Sequence, residues 1–234
     1  MSYFDDYQKR LNASGTNEAD AFKNSTINFI DRAFSNSPNY RLVPVDGVDT
    51  ECRIINTDSF KTRDMILRPG SRVNIGSLVV VDSYYFLITD FVYDNIISKA
   101  RLTIASDMLR WKNKDGVIKQ YHLVGETASR FNMIERANSD FVSSQAYFYV
   151  QRNPDTDTIV PSQRFIIGGK VYHVIGIDNV TNTDSNGLGI SQLIMSATPS
   201  SANDDFINGI ADNSFLLDKE KTNDISGGSG GALW

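Results

Sequence analysis

The sequence predicts a mainly β protein: two tandem, related small β-barrel or sandwich units preceded by an N-terminal helical arm. Three observations carry this prediction. The chain repeats itself, since Pro69, Arg72 and Gly76 are answered 92 positions on by Pro161, Arg164 and Gly168. Beyond residue 38 it is built of β-branched and aromatic runs punctuated by tight-turn pairs, which is the composition of short strands. Residues 1 to 36 carry apolar residues at helical spacing.

The arm comes first. Thr16 and Asn17 are side chains that cap a helix start, and Glu18 and Asp20 suit the positive end of its dipole. Phe22, Phe29, Ile30 and Ala33 then recur at helical spacing, with a shorter stripe of Phe4, Tyr7 and Leu11 ahead of Ser14-Gly15. Two readings of the stripes stand side by side: packing on the β-units, or docking on a partner. Ser37-Pro38-Asn39 stops the helix, because proline and the residue before it resist helical geometry.

Strands are expected at 40–45, 50–56, 73–75, 78–81, 85–91 and 99–105, with Asp46-Gly47 as a hairpin turn. Lys114-Asp115-Gly116 marks a further hairpin, returning through 117–123, and 125–137 reads as a short helix or a connecting strand. The second unit is expected to begin near Phe141, with alternation at 146–151, a turn at Asn153-Pro154-Asp155 and a polar loop over 181–189. This gives four segments: an arm (1–37), a first β-unit with a hairpin excursion (38–137), a second β-unit (138–201), and a flexible segment or linker (202–234). The last residues, SGGSGGALW, have linker composition.

Each repeat reads Pro-x-x-Arg-apolar-x-apolar-Gly. In the second copy Gly168-Gly169 follows a short strand directly. In the first, about six extra residues lengthen the hairpin and place its tip at Asp82-Ser83. Neither glycine turn leads into a helix, and no phosphate-loop pattern is present.

Composition narrows the function. The net charge is −5, and basic residues are scattered, unlike the basic stripe of a nucleic-acid binder. No run reaches the roughly 18 apolar residues of a membrane helix. The chain has one cysteine, Cys52, and two histidines, His122 and His173. No C-x-x-C, calcium-loop or nucleophile-elbow pattern accompanies them, so no catalytic residue, metal ligand or cofactor is expected. Cys52 sits in a strand and reads as a small buried hydrophobe.

The second unit, RFIIGGKVYHVIGIDN followed by a polar loop and a closing apolar strand, resembles the head-tail joining and head-closure proteins of tailed bacteriophages. The opening SYFDDYQKRLNASG, a helix and then SPNYRLVPVDG, and the segment LTIASDMLRWKNKDGVI are similar in the same way. That resemblance implies a non-enzymatic component of the virion neck, made in the bacterial cytoplasm. It would form a homo-oligomeric ring joining the portal of the head to the tail, pass DNA through its lumen without specific binding, and contact no membrane. Phe22, Phe29 and Ile30 on the arm, Asp82, Ser83 and Tyr84 on one loop, and Asp184, Ser185 and Asn186 on another are the expected partner contacts. The alternatives are another phage structural part (tail, baseplate or capsid decoration) or a non-catalytic surface- or carbohydrate-binding module.

Overall fold

The computed structural model describes residue 15 and residues 17–94, 96–127, 145–184 and 187–216. The short stripe at Phe4, Tyr7 and Leu11, residues 128–137, the expected second-unit start at Phe141, and the linker-like end lie outside the described residues. The chain is mainly β, with two six-stranded barrel-like sheets in tandem and a helix near the N-terminus. It divides into a unit of residues 1–104 and a unit of residues 105–234.

The helix, α1 (Glu18–Phe34), begins as the sequence predicts. The Asn17 side chain accepts a hydrogen bond from the Asp20 amide at 2.8 Å, and Arg32 occupies the last turn. After it come β1 (Tyr40–Val45), β2 (Val48–Asn56), β3 (Thr62–Leu67), β4 (Leu78–Val81), β5 (Tyr84–Val92) and β6 (Lys99–Ile104). They form a closed antiparallel barrel in the order β1-β2-β3-β6-β5-β4. Closure is made where Val45 pairs with Val79. Asp46 locks it: its amide donates to the Leu78 carbonyl at 2.8 Å, and its side chain accepts from the Leu78 amide at 2.9 Å. Cys52, Met65, Leu67, Val79, Phe86, Ile88 and Leu102 fill the interior. Residues 73–75 are not a strand, although Val73 still reaches this core.

The second unit holds β7 (Asp107–Lys112), β8 (Ile118–Thr127), β9 (Gln145–Arg152), β10 (Arg164–Ile167), β11 (Lys170–Asp178) and β12 (Gly189–Ala197). Their order, β7-β8-β9-β12-β11-β10, repeats that of the first unit strand for strand. The β7–β8 hairpin therefore is no excursion of the first unit. β8 pairs with β9, and Leu109, Trp111 and Leu123 are buried in the core of the second unit. Burial of these three side chains puts the boundary at residue 104, where the sequence alone places it at 137.

The duplication is real, but its register is not the one the motif suggests. In the first hairpin Leu78 pairs with Leu87, and in the second Arg164 pairs with His173, so counterparts lie 86 residues apart (78 to 164). Both hairpins turn on two left-handed residues, Asp82 and Ser83 (φ 51° and 69°) and Gly168 and Gly169 (φ 56° and 74°). Both following strands carry an irregularity at the same place, Ile88/Asp90 and Val174/Gly176. The structural counterpart of Gly76 is thus Ser162, also left-handed, and each donates its amide to the matching carbonyl, Ile88 or Val174. Arg72 and Arg164 do not occupy equivalent places. The tip at Asp82-Ser83 is where the sequence puts it, with no insertion in the first hairpin.

Residues 199–213 form a strap on the second sheet, although the sequence places a flexible segment from residue 202 onward. Asp205 and Ile210 make a β-bridge, and Ala211 packs on Ile166 and Val171. Arg164 forks onto Asp204 with bonds of 3.1 and 2.9 Å and also donates to the Pro199 and Asp212 carbonyls. A half-buried guanidinium is favoured by such a set of acceptors, and the strap supplies these.

Candidate functional site

The helix meets the first barrel through its last turn. Phe34, its one buried residue, packs edge-on to Tyr40 at 6.3 Å between centroids and lies under the Arg53 guanidinium at 4.5 Å. Arg53 also donates to the Phe34 and Ala33 carbonyls at 3.0 and 2.8 Å, satisfying acceptors that a helix end leaves without intrahelical partners. One turn earlier, Arg68 pairs with Asp31 at 2.5 Å and with Glu51. The hydrogen bond from Arg68 is the main cause holding both carboxyls below their usual range, against a smaller opposing effect of desolvation.

This anchoring leaves the expected contact residues on two different faces. Phe22 and Phe29 are 77% and 75% exposed, so these two do not pack on the barrel. Ile30 is half-buried. By helical geometry it lies nearer the side of Asp31 and Phe34 than the phenylalanine face.

The hairpin tip is set by its neighbours as well. Asp82 bridges to Arg63 at 3.0 Å, and the Arg63 guanidinium sits 5.0 Å from the Phe86 ring centroid. Tyr84 is exposed. The antiparallel order places this tip at the barrel end that also receives the chain from the helix and carries the β2–β3 loop, where Phe60 is exposed. Phe22, Phe29, Phe60 and Tyr84 are therefore exposed aromatic residues of one unit. The sequence reading did not single out Phe60; its place between Ser59 and Lys61, outside any alternating strand, is the signal that could have found it.

The second expected loop, between β11 and β12, is a folded turn. The Asp178 carboxylate accepts from the Val180 and Thr181 amides and the Thr181 hydroxyl. These bonds, the Thr181 hydroxyl first, keep its carboxyl below the usual range. Asp184 accepts from the Leu188 amide at 2.9 Å, and Thr183 bridges to Gly189. Asp184 thus shapes the loop. Ser185 and Asn186 lie outside the described residues, while the flanking Val180 and Leu188 present apolar side chains to solvent.

Other polar groups are committed to structure. Asp155 receives Lys119 at 2.8 Å and Tyr121 at 2.5 Å, and burial, helped by Asp155, pushes the Tyr121 hydroxyl up to about 12. Cys52 is fully buried, and that burial pushes its thiol up to about 12. Among the described residues, no group of three or more His, Cys, Asp or Glu is disposed to hold a metal ion, and no helix is long and apolar enough to cross a membrane.

Comparison with known proteins adds one family match. The model of the YomX C-terminal domain matches residues 107–195, which run from β7 to β12. The name derives from an SPβ-like prophage and points to phage association. No curated protein sequence matches the chain. Among solved structures, K. pneumonia MrkH in its apo state is 10% identical, with 87% of this chain and 94% of that chain covered and a TM-score of 0.25. YcgR from Escherichia coli in complex with c-di-GMP is 7% identical, with 86% and 92% covered and a TM-score of 0.23. TM-scores this low carry no functional argument.

Proposed function

We propose that this chain is a non-enzymatic structural protein of a tailed-phage virion, acting in the neck as a ring that joins the portal to the tail. The observation that carries the phage assignment is the match of β7 to β12 to a phage-derived domain family. The placement in the neck rests on the resemblance of the hairpin sequences to head-tail joining proteins. Two barrel-like sheets of one strand order supply stiff bodies, and apolar side chains stand exposed and available for contacts between subunits: Phe22 and Phe29 on the helix, Phe60 and Tyr84 at one end of the first barrel, Val180 and Leu188 on a loop of the second sheet. The net charge of −5 suits a lumen that lets DNA slide past without holding it.

Gold-labelled electron microscopy of particles carrying a tagged chain tests the placement. Label at the head-tail junction is expected. Label spread along the tail or shell would move the protein to a tail or decoration role, and label on no particle would overturn the virion assignment. A second test changes the β11–β12 loop without cutting it, because the Thr183–Gly189 bridge makes deletion structurally costly. Val180→Asp with Leu188→Asp is expected to leave the barrels folded and to yield heads without tails. Normal infectious particles would remove the loop from the interface.

A further inference from the structure

The exposed helix face has a spacing that the contacts among the described residues do not explain. Ala19, Phe22, Thr26, Phe29 and Ala33 follow one another at steps of three, four, three and four, the seam of a coiled coil. Phe22 and Phe29 on this seam are largely in water, while Asp31 and Phe34, on another side of the helix, make the contacts with the barrel. We propose that α1 packs antiparallel against the same helix of a second copy of this chain, through this seam.

Side-chain size sets the direction. In a parallel pair, phenylalanine would meet phenylalanine and alanine would meet alanine, giving layers alternately crowded and hollow. In an antiparallel pair centred near residue 24, Phe22 faces Thr26 of the second copy and Phe29 faces its Ala19, so each phenylalanine meets a small side chain, and Ala33 falls at the edge of the contact. A surface depression lined by Asn17, Glu18, Ala19 and Phe22 lies where the incoming Phe29 would seat. The contact is isologous, so each pairing occurs twice. Charge agrees with direction. The residues flanking the seam include Glu18 in the first turn and Arg32 in the last, and antiparallel packing brings Glu18 of one copy to Arg32 of the other at both ends. The two helix dipoles also oppose each other. This pairing does not depend on the neck assignment, since it follows from the helix alone.

Sedimentation of the full chain over a concentration series tests it, using Trp111 fluorescence in a Trp234→Phe background as a check on folding. A monomer–dimer equilibrium is expected, and Phe22→Ser with Phe29→Ser should weaken it about a hundredfold by removing the buried aromatic anchors. Glu18→Arg or Arg32→Glu alone should each weaken it up to roughly fivefold, and the two together should restore it. Within one helix these positions are about 21 Å apart, so rescue can only arise between copies. A chain that stays monomeric throughout would overturn the proposal and leave the face to residues 1–14 or to a different protein. A dimer indifferent to the phenylalanines, or charge variants that fail to rescue each other, would overturn it equally.

Discussion

Asp204→Ala is the sharpest probe of how the second barrel is held shut. The Asp204 side chain is 0% exposed and the Arg164 side chain 15%. Burial alone would raise the Asp204 carboxyl, but the Asp212 and Ser201 amides and Arg164 outweigh it and hold the carboxyl below its usual range. Removing the carboxylate leaves Arg164 with only the Pro199 and Asp212 carbonyls, and breaking a buried pair from one side costs about 3 kcal/mol where some acceptors remain. The Ser201 and Asp212 amides, which bond Asp204 at 2.6 and 2.8 Å, lose their acceptor as well, adding about 1 kcal/mol. With a urea dependence of about 2 kcal/mol per molar, a loss of about 4 kcal/mol lowers the unfolding midpoint by roughly 2 M. Buried Trp111 reports this unit, in a Trp234→Phe chain, while protection of buried Cys52 from a thiol reagent reports the first unit and should keep its midpoint. Arg164→Met added to Asp204→Ala should cost little more than Asp204→Ala alone, because the stranded charge is then gone. A midpoint shift below about 0.5 M, or strictly additive losses, would refute the assignment of the strap as the clasp.

Three further outcomes are expected. Ser83→Gly should stabilise the first unit by roughly 0.5–1 kcal/mol, because Ser83 sits at φ 69° where its second-unit counterpart is already Gly169, and urea unfolding measures it. Cys52 should resist a thiol reagent at neutral pH until the first barrel unfolds, since burial holds its thiol near 12; reaction in the native state would contradict the core placement. Acid should loosen the helix anchor. Asp31 and Glu51 are depressed in the folded state, so their contribution is complete above the ordinary values of 3.8 and 4.5 and is lost as pH falls through the lower folded values. Exchange of the amides in the last turn of α1, followed from about pH 6 downward, reads this directly.

The sequence made legible what is local. The Asn17 cap, the turns at Asp46-Gly47, Asp82-Ser83 and Gly168-Gly169, and the strands around them are encoded by neighbouring residues, and all are present. The duplication was legible too, but its register was not. Pro69, Arg72 and Gly76 line up with Pro161, Arg164 and Gly168 as letters, whereas the hydrogen-bond pairs of the two hairpins align six residues differently. Strand pairing is fixed by which face is buried and by turn geometry, and neither depends on an isolated proline or arginine. The β7–β8 hairpin was assigned to the wrong unit for a related reason: the Leu123–Val150 pairing spans residues 128–144, and no local signal announces it. Of the expected contact residues, Phe22, Phe29 and Tyr84 are exposed, while Asp82 and Asp184 build turns. Hydropathy marks an apolar residue that stays outside more readily than it separates a functional aspartate from a structural one.

The two barrels share a strand order and differ in how the seam is closed, which bears on why the chain continues past β12. In the first unit the backbone of Leu78 is satisfied by Asp46, from the end of β1. Its counterpart Arg164 stands at the same place on β10, and its amide donates to the Asn213 side chain at 2.7 Å while its carbonyl accepts from the same amide group at 2.9 Å. β7 offers no residue there. It reaches β10 at the other end, where Asp107 accepts from the Gly168 amide at 2.7 Å, and it meets the strap through Arg110 and the Asn208 carbonyl. The strap therefore supplies through Asn213 what the first barrel takes from its own hairpin, and a half-buried arginine stands in place of a leucine where acidic chain covers it. An open strand edge invites pairing with other chains, so a barrel whose β7–β10 edge is sealed by side chains needs the strap in place to remain a discrete body. Arg164 and residues 199–213 belong to one structural device, and a truncation before Asn213 would remove part of the second barrel.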